Sequence, residues 1–482
     1  MSQEIELKLQ IAPTDAERLT EWAAAQGEAA IRPLRSIYFD TPGQALTRAG
    51  MSLRVRHDGS KWVQTVKSGQ GASVGLFVRD EWEKPVGGPV PEIGEDTPLF
   101  GLPPQTLDAL SPIFEILVER RTQDIVRDGT TLELAIDRGE AVAADRRSGF
   151  CEIELELKDG AADALFALAR EIDAIVPVRL GTTTKLERGL HLLDAVAESV
   201  KSEPIPLSPD QTVQEAFAAI VGSCLRQYRL NEDILLARPG PEAIHQARVA
   251  LRRVRSALSI FKDLTGDSQS DRLRDELKWL AGELGKARDL DVLLQATQDN
   301  DLRAKLIEER TAQYEALDQT LNDARPRALM LDFAQWLATG DWRENADSEA
   351  MRQAGVAGFA ETALSKIFKR FRKQSAKLAK LSDEQRHEAR KLAKKLRYGA
   401  EFFGELYTSG KVGKRHERFL DRLEKVQDGL GKLNDLANVP QLLDRHGLAG
   451  ARTEIDENHR RALIERAASA CDALIETKPF WT

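Results

Sequence analysis

Glu4, Glu6 and Lys8 occupy every second position of "EIELKL", and Glu152, Glu154 and Glu156 repeat that spacing in "EIELEL". Side chains alternate across a β-strand, so each trio shares one face. The same parity groups Arg54 with Arg56, Thr65 with Lys67, Arg79 with Glu81 and Glu83, and Glu133 with Asp137. A sheet with one solvated face would account for any single strand. Together, however, the charges are segregated, acidic at Glu4/Glu6 and Glu152/Glu154/Glu156 and basic at Arg54/Arg56 and Lys67. Clustered carboxylates suit a hard cation such as Mg²⁺ or Mn²⁺, and arginine and lysine forks suit phosphate oxygens. If the sheet curls into a barrel, both clusters face one lumen, where charge is tolerable only when partners or a ligand compensate it.

The elements that must carry these residues are short alternating runs punctuated by Gly, Pro and Asp: "SIYFDTP", "MSLRVRH", "KWVQTVKSG", "LFVRDEWEKP", "TLELAIDRGE" and "CEIELELKDG". They predict an antiparallel sheet whose other face, with Ile5, Leu7, Leu9, Leu53, Val55, Val66, Ile153 and Leu155, is apolar. Two helices are expected among them, "PTDAERLTEWAAAQG", with Thr14 or Asp15 as N-cap and Gly27 as stop, and "GAADALFALAREID". Residues 1–198 therefore read as an α+β domain. The proline-rich 199–210, "SVKSEPIPLSPD", reads as a linker, and 211–478 shows the apolar spacing of an all-α domain.

The second half contains a repeat. "IHQARVALRRVRSALSIF" at 244–261 returns as "RHEARKLAKKLRYGAEFF" at 386–403, and "LAGELGKARDLDVL" is echoed by "VQDGLGKLNDLANV". Two copies of one multi-helix unit are expected, over about 211–340 and 350–478, packed about a pseudo-two-fold axis. Each copy sets basic residues at +3, +7 and +10 from a histidine: His245, Arg248, Arg252, Arg255, then His387, Arg390, Lys394, Arg397. On a helix these fall within about 80° of one another, a single-signed stripe. A solvated face would explain one charge run, but self-repulsion recurring at the same spacing favours an anion-binding surface. The stripes lack interleaved aromatics that would stack bases, so nucleic acid is disfavoured as the partner.

Composition sets the outer bounds. A chain of 482 residues, 42% hydrophobic and 30% charged, should form two or three globular domains. Three scattered cysteines give neither a disulfide framework nor a zinc pattern, which suits a cytoplasmic location. The start "MSQEIELKLQ" has no basic residues followed by an apolar stretch, and no apolar run elsewhere approaches the roughly 18 residues of a membrane span, so neither export nor membrane insertion is expected. The net charge of -8 is unevenly spread: residues 1–200 hold 22 Lys+Arg against 33 Asp+Glu, and the remainder 47 against 44.

The ordered series "EIELK", "YFDTP", "LRVR", "QTVK", "VRDEWE", "AIDRGE", "CEIELEL" and "TKLERGLHLL" resembles the CYTH domain, the triphosphate tunnel metalloenzymes, over residues 1–197. "HQARVALRRVR", "LGKARDLDVL", "HEARKLAKKLRY" and "LGKLNDLANV" resemble the CHAD domain, which is built of two four-helix repeats. The order of the two resembles bacterial two-domain inorganic triphosphatases. The resemblance implies an eight-stranded antiparallel tunnel barrel with flanking helices. Within it, Lys8, Arg54, Arg56, Lys67, Arg79, Arg120, Lys185 and Arg188 would hold phosphates, and Glu4, Glu6, Asp137, Glu152 and Glu154 would hold Mg²⁺ or Mn²⁺. Arg121 competes with Arg120 for its role. Glu4, Glu6, Lys8 and Arg56 would serve catalysis, an in-line attack of metal-activated water on a terminal phosphorus of inorganic triphosphate.

For the helical half, the resemblance implies binding of inorganic polyphosphate through His245, Arg248, Arg252, Arg255, His387, Arg390, Lys394 and Arg397, with both histidines either touching phosphate or bonding between helices. Asn434 stands where the first copy has Arg288, so the copies need not bind equally. A class IV type adenylate cyclase, a thiamine or nucleoside triphosphatase and a non-catalytic polyphosphate-binding scaffold remain the alternatives.

Overall fold

The computed structural model of the chain describes residues 2–68, 75–94, 97–194, 196–297, 299–445 and 457–482, and of residues 2–4, 77–80 and 441 it describes the backbone. Its contacts divide it into two compact units, 1–198 with 322–340, and 199–321 with 341–482.

The first unit is an antiparallel sheet with helices. In chain order it holds β1 (Ser2–Gln10), α1 (Ala16–Ala24), β2 (Ala30–Asp40), α2 (Ala45–Arg48), β3 (Met51–His57), β4 (Trp62–Ser68), β5 (Leu76–Val86), α3 (Pro104–Asp108), β6 (Ser111–Arg127), β7 (Thr130–Ala143), β8 (Arg146–Asp159), α4 (Asp163–Ile175), β9 (Arg179–Leu180) and α5 (Lys185–Leu193). The strands run β5-β4-β3-β2-β6-β7-β8-β1-β9, and an additional ladder joins β1 to β5.

In place of the expected regular eight-stranded barrel, the described residues form nine strands, and β1 is shared among three neighbours. Its residues 2–7 pair with β5, 6–10 with β8 and 9–10 with β9. The β5 ladder begins at Leu76 opposite Leu7, so the strand edge beyond is open to Arg179 and Leu180, which form β9 there.

Alternation sets the faces as the sequence predicts. Leu7, Leu9, Leu53, Val55, Val66, Ile153 and Leu155 are completely buried, and helices α1 and α4 bury Leu19, Phe166 and Ile172. The longest strand, β6, escapes a simple alternation reading because its phase switches. Phe114, Ile116 and Val118 are buried at even positions and Gln123 and Ile125 at odd ones, separated by the charged "ERRT".

A helix distant in sequence completes this unit. Residues 322–340 carry a helix, Ala324–Thr339, that packs on α4 and β9. Arg327 Nε donates to Asp173 Oδ1 at 2.8 Å, and Arg170 Nη2 to Asp332 Oδ1 at 2.7 Å.

The second unit is all helical. Numbered onward from α5, its helices are α6 (Val213–Ala237), α7 (Pro241–Ile260), α8 (Ser268–Ala296) and α9 (Asn300–Asn322), whose last residue falls in the first unit. After α10 (Ala324–Thr339 of the first unit) and the single turn α11 (Glu349–Arg352) come α12 (Val356–Ser375), α13 (Asp383–Phe402), α14 (Gly410–Arg445) and α15 (Glu457–Ile475). The repeats meet symmetrically at their starts: Val213 N donates to Ala354 O at 2.9 Å and Val356 N to Gln211 O at 3.0 Å. Phe217 and Phe261 stand 142 residues before Phe359 and Phe403, and the four rings join through Phe217–Phe261 at 5.1 Å, Phe261–Phe359 at 4.6 Å and Phe359–Phe403 at 6.3 Å. The segment 199–210 has no helix or strand, and Asn231 holds it to α6 by donating to Val200 O and accepting from Val200 N.

Candidate active site

The charged faces of the sheet enclose a cavity of about 400 Å³. Strands β3 and β4 supply a cationic wall of Arg54, Arg56 and Lys67, because Arg54 sits opposite Thr65, and alternation turns Arg56 and Lys67 the same way. The β4–β5 register sets Lys67 against Glu81 and Thr65 against Glu83. Lys67 Nζ lies 3.1 Å from Glu81 Oε2, and Arg56 Nη2 lies 3.6 Å from Glu83 Oε1. These carboxylates leave Arg56 short of compensation. Repulsion from Arg54, then burial, with Arg120 adding to both, pushes the Arg56 guanidinium down to about 10. A half-buried cation destabilised first by another cation makes this wall a candidate place for an anion.

Facing it, β7 and β8 pair Asp137 with Glu152 and Ala135 with Glu154, and β1 pairs Lys8 with Glu154. Arg120, opposite Asp137 in the β6–β7 ladder, grips that carboxylate with Nε–Oδ1 at 2.7 Å and Nη2–Oδ2 at 2.6 Å, and also reaches Glu154. Lys8 Nζ lies 2.7 Å from Glu154 Oε1 and 3.1 Å from Glu6 Oε1. Burial by itself would lift the Glu154 and Asp137 carboxyls, but Lys185, with Lys8 and Arg120 at Glu154 and Arg120 at Asp137, outweighs it and holds both below the ordinary carboxylate range. Burial likewise opposes the Lys8 charge, and Glu154 and Glu6 overcome it.

Helix α5 brings the last component. Thr184 caps it, its hydroxyl accepting from Glu187 N while Glu187 Oε2 accepts from Thr184 N at 2.7 Å. The helix can approach the sheet closely only because residue 189 is glycine: a Cβ there would lie 2.1 Å from Phe114 Cε2. Its first residue, Lys185, reaches Asp137, Glu152 and Glu154 together.

Carboxylate oxygens of Asp137, Glu152 and Glu154 lie within 4.8 Å of one another. Three buried, hard oxygen donors that already surround an ammonium fit a hard divalent cation. Glu152 stands behind the cavity, where Arg188 Nη2 is 3.7 Å from its Oε2 and the Arg188 guanidinium rests over the Phe150 ring.

Of the residues expected from sequence, Glu6, Lys8, Arg54, Arg56, Lys67, Arg120, Asp137, Glu154 and Lys185 line the cavity. Arg121 is not among the lining residues. The side chains of Glu4 and Arg79 lie outside the described residues. Sequence reasoning left Tyr38, Glu81 and Glu83 out of the site. Parity had put the two glutamates on a charged face, but only the β4–β5 register makes them partners of Lys67 and Arg56.

In the second unit, the stripes of α7 and α13 converge. Lys394 feels Arg252, Arg390 and Arg248, and Arg248 in turn feels Arg252 and Arg288. Burial first, then these cations, pushes Lys394 down to about 7. The +10 positions diverge from this cluster: Arg255 is exposed, and Arg397 Nε donates to Glu401 Oε1 at 2.7 Å. His387 Nδ1 lies 2.9 Å from Asn434 Oδ1, whereas burial first, then the neighbouring Arg288, lowers the pKa of His245.

Comparison with known proteins places this arrangement. The CYTH domain family matches residues 2–190 and the CHAD domain family residues 219–444. An inorganic triphosphatase of Haemophilus influenzae is 29% identical over 201 residues, 40% of this chain and 55% of that protein, so the chain spans about half the length of this relative. An uncharacterized protein of Mycobacterium tuberculosis is 28% identical over 404 residues, 76% of this chain and 75% of that one. The solved CHAD domain from the plant Ricinus communis overlays with a TM-score of 0.47 at 28% identity, covering 58% of this chain and 92% of its own. No helix among the described residues is long and apolar enough to cross a membrane. The chain therefore carries a CYTH domain over residues 2–190, followed by a CHAD domain over residues 219–444.

Proposed function

We propose that the CYTH cavity hydrolyses inorganic triphosphate to diphosphate and phosphate, using Mg²⁺ or Mn²⁺. The observation that carries this reading is the opposition of the Arg54, Arg56 and Lys67 wall, in which Arg56 lacks full compensation, to the buried Asp137, Glu152 and Glu154 carboxylates. The inorganic triphosphatase similar to this chain over its first domain supports the same reaction class.

Arg54, Arg56, Lys67 and Arg120 hold the phosphate chain, with Lys8 beside them at the carboxylate wall. Arg188 steadies Glu152 from behind. Glu4, Glu6, Asp137, Glu152 and Glu154 form the metal-binding set. A divalent cation bound there supplies Lewis acidity and lowers the pKa of a coordinated water. In the net reaction, water's oxygen bonds the terminal phosphorus, the bridging P–O bond breaks toward diphosphate, and one proton is released to solvent. Phosphoryl transfer needs mainly alignment and charge neutralisation, which this set of fixed cations provides. In the CHAD domain, the cluster of Arg248, Arg252, Arg288, Arg390 and Lys394 binds inorganic polyphosphate, with Arg255, Arg397 and the two histidines at its margins.

Orthophosphate release from triphosphate, ATP, thiamine triphosphate and long-chain polyphosphate, each with Mg²⁺ and with Mn²⁺, tests this assignment. Triphosphate should be preferred. Cyclic AMP formed from ATP would replace this reading with a cyclase, and absence of all turnover would leave a polyphosphate-binding scaffold.

A further inference from the structure

Lys185 Nζ lies 2.7 Å from Asp137 Oδ2 and 2.7 Å from Glu154 Oε1, and it is ion-paired with Glu152. It thus touches all three carboxylates whose oxygens cluster within 4.8 Å. Lys8 and Arg120 approach the same group from its edges, at Glu154 and at Asp137. The Lys185 side chain is only 11% exposed. We infer that Lys185 is a built-in counter-cation, seated in the metal-binding triad when metal is absent and displaced from it when metal enters. The inference rests on the proposed metal-binding role of Asp137, Glu152 and Glu154.

The physical case is one of exclusion. Mg²⁺ takes its oxygens at about 2.0–2.1 Å, so an ion bound by these three carboxylates needs the volume that the ammonium now fills. Like charges at that separation repel strongly in a buried site, so both cannot remain. Without any cation, the three buried carboxylates would repel one another and lose their compensation. Lys185 supplies the central part of that compensation intramolecularly, with Lys8 and Arg120 at the edges.

Its location also allows it to leave. The residue is the first of α5, whose N-terminus is pinned by the reciprocal Thr184–Glu187 cap. The backbone can therefore stay in place while the flexible four-carbon stem swings. The released ammonium opens onto the cavity, where a phosphate anion gives it a new partner. Metal entry and anion entry then assist each other: the metal expels Lys185, and the anion receives it. Such reciprocal coupling between two ligands typically spans about 5-fold to 150-fold in affinity.

The test is Mn²⁺ binding to the full chain in phosphate-free buffer, read from the electron paramagnetic resonance of free Mn²⁺. Lys185→Gln should bind Mn²⁺ about tenfold tighter than the unsubstituted protein. Lys185→Arg keeps the charge and should bind no tighter. Equal or weaker Mn²⁺ binding by folded Lys185→Gln overturns the inference. Should Lys185→Gln require a cation to fold, Mn²⁺ should restore its circular dichroism and raise its Tm more than that of the unsubstituted protein. Failure of that rescue also overturns the inference. Turnover is not the readout, so a chain that hydrolyses no triphosphate can still show the displacement, and an active triphosphatase can still lack it.

Discussion

Arg120 and Asp137 face each other across the β6–β7 ladder and form a two-pronged ion pair, with contacts of 2.7 and 2.6 Å and with Asp137 fully buried. The pair joins the two functions of the cavity, since Arg120 belongs to its cationic set and Asp137 to its carboxylate triad. Asp137→Asn should abolish most metal-dependent turnover, a fall of at least about 10²-fold. Leaving Arg120 and Lys185 partly uncompensated should also lower stability by about 3–5 kcal/mol, measured by guanidinium unfolding. Asp137 and Glu154 have folded pKa values below their unfolded ones. Their stabilisation is therefore complete above the ordinary carboxylate range and is lost only as pH falls through the lowered values.

Arg56 should show the opposite balance between stability and function. Because Arg54 repels it and burial strips its water, Arg56→Gln should leave the free protein equally or slightly more stable, within about 0.5 kcal/mol. Triphosphate affinity should nevertheless fall by about tenfold to a hundredfold, the worth of one charge-assisted hydrogen bond of about 1.5–3 kcal/mol. Calorimetric binding to an inactive variant, paired with thermal unfolding, separates the two effects. A large loss of stability would show that Arg56 serves the fold.

Gly189 provides a geometric test of α5. An alanine methyl would overlap Phe114, whose ring stacks on Tyr38 at 4.8 Å, so the helix or the stack must move. Gly189→Ala should cost about 1–3 kcal/mol, as overpacking does, and should lower turnover by shifting Lys185. If activity and Tm are unchanged, α5 is not held as tightly as its contacts imply.

Lys394 predicts a pH dependence for the CHAD surface. Its folded pKa of about 7 lies below the unfolded value of lysine, so the folded protein binds fewer protons than the unfolded chain above pH 7. Stability therefore rises with pH from about 7 toward the ordinary lysine value. Bound polyphosphate favours the charged ammonium and should take up a proton near pH 8. Affinity should accordingly weaken as pH rises from 7, and titration calorimetry in buffers of differing ionisation enthalpy measures the uptake. In Lys394→Met the uptake should disappear; if it persists unchanged, another group titrates.

Much of this molecule is legible in its sequence. Period-two alternation carries its own evidence of which face is charged, and so Glu6, Lys8, Arg54, Arg56, Lys67 and Glu154 can be assigned to one lumen, where they lie. The 142-residue repeat likewise points to two equivalent helical sets, which meet in the Phe217–Phe261 and Phe359–Phe403 cluster. Both signals are local periodicities, which backbone geometry converts directly into direction.

What the sequence hides depends on register and on distant pairing. No feature of "VRDEWE" says that Glu83 will meet Arg56, because that pairing follows from the offset between β4 and β5. Nothing in the local pattern of Ala324–Thr339 reveals that this helix, embedded in the helical half of the sequence, packs with the sheet unit through Arg327 and Asp173. Sequence alone determined which residues are charged, how they are spaced and therefore which side of each strand they occupy. Only the tertiary structure decided that one ammonium, Lys185, sits among three carboxylates drawn from β7 and β8, since electrostatic partnership depends on distance in space and burial.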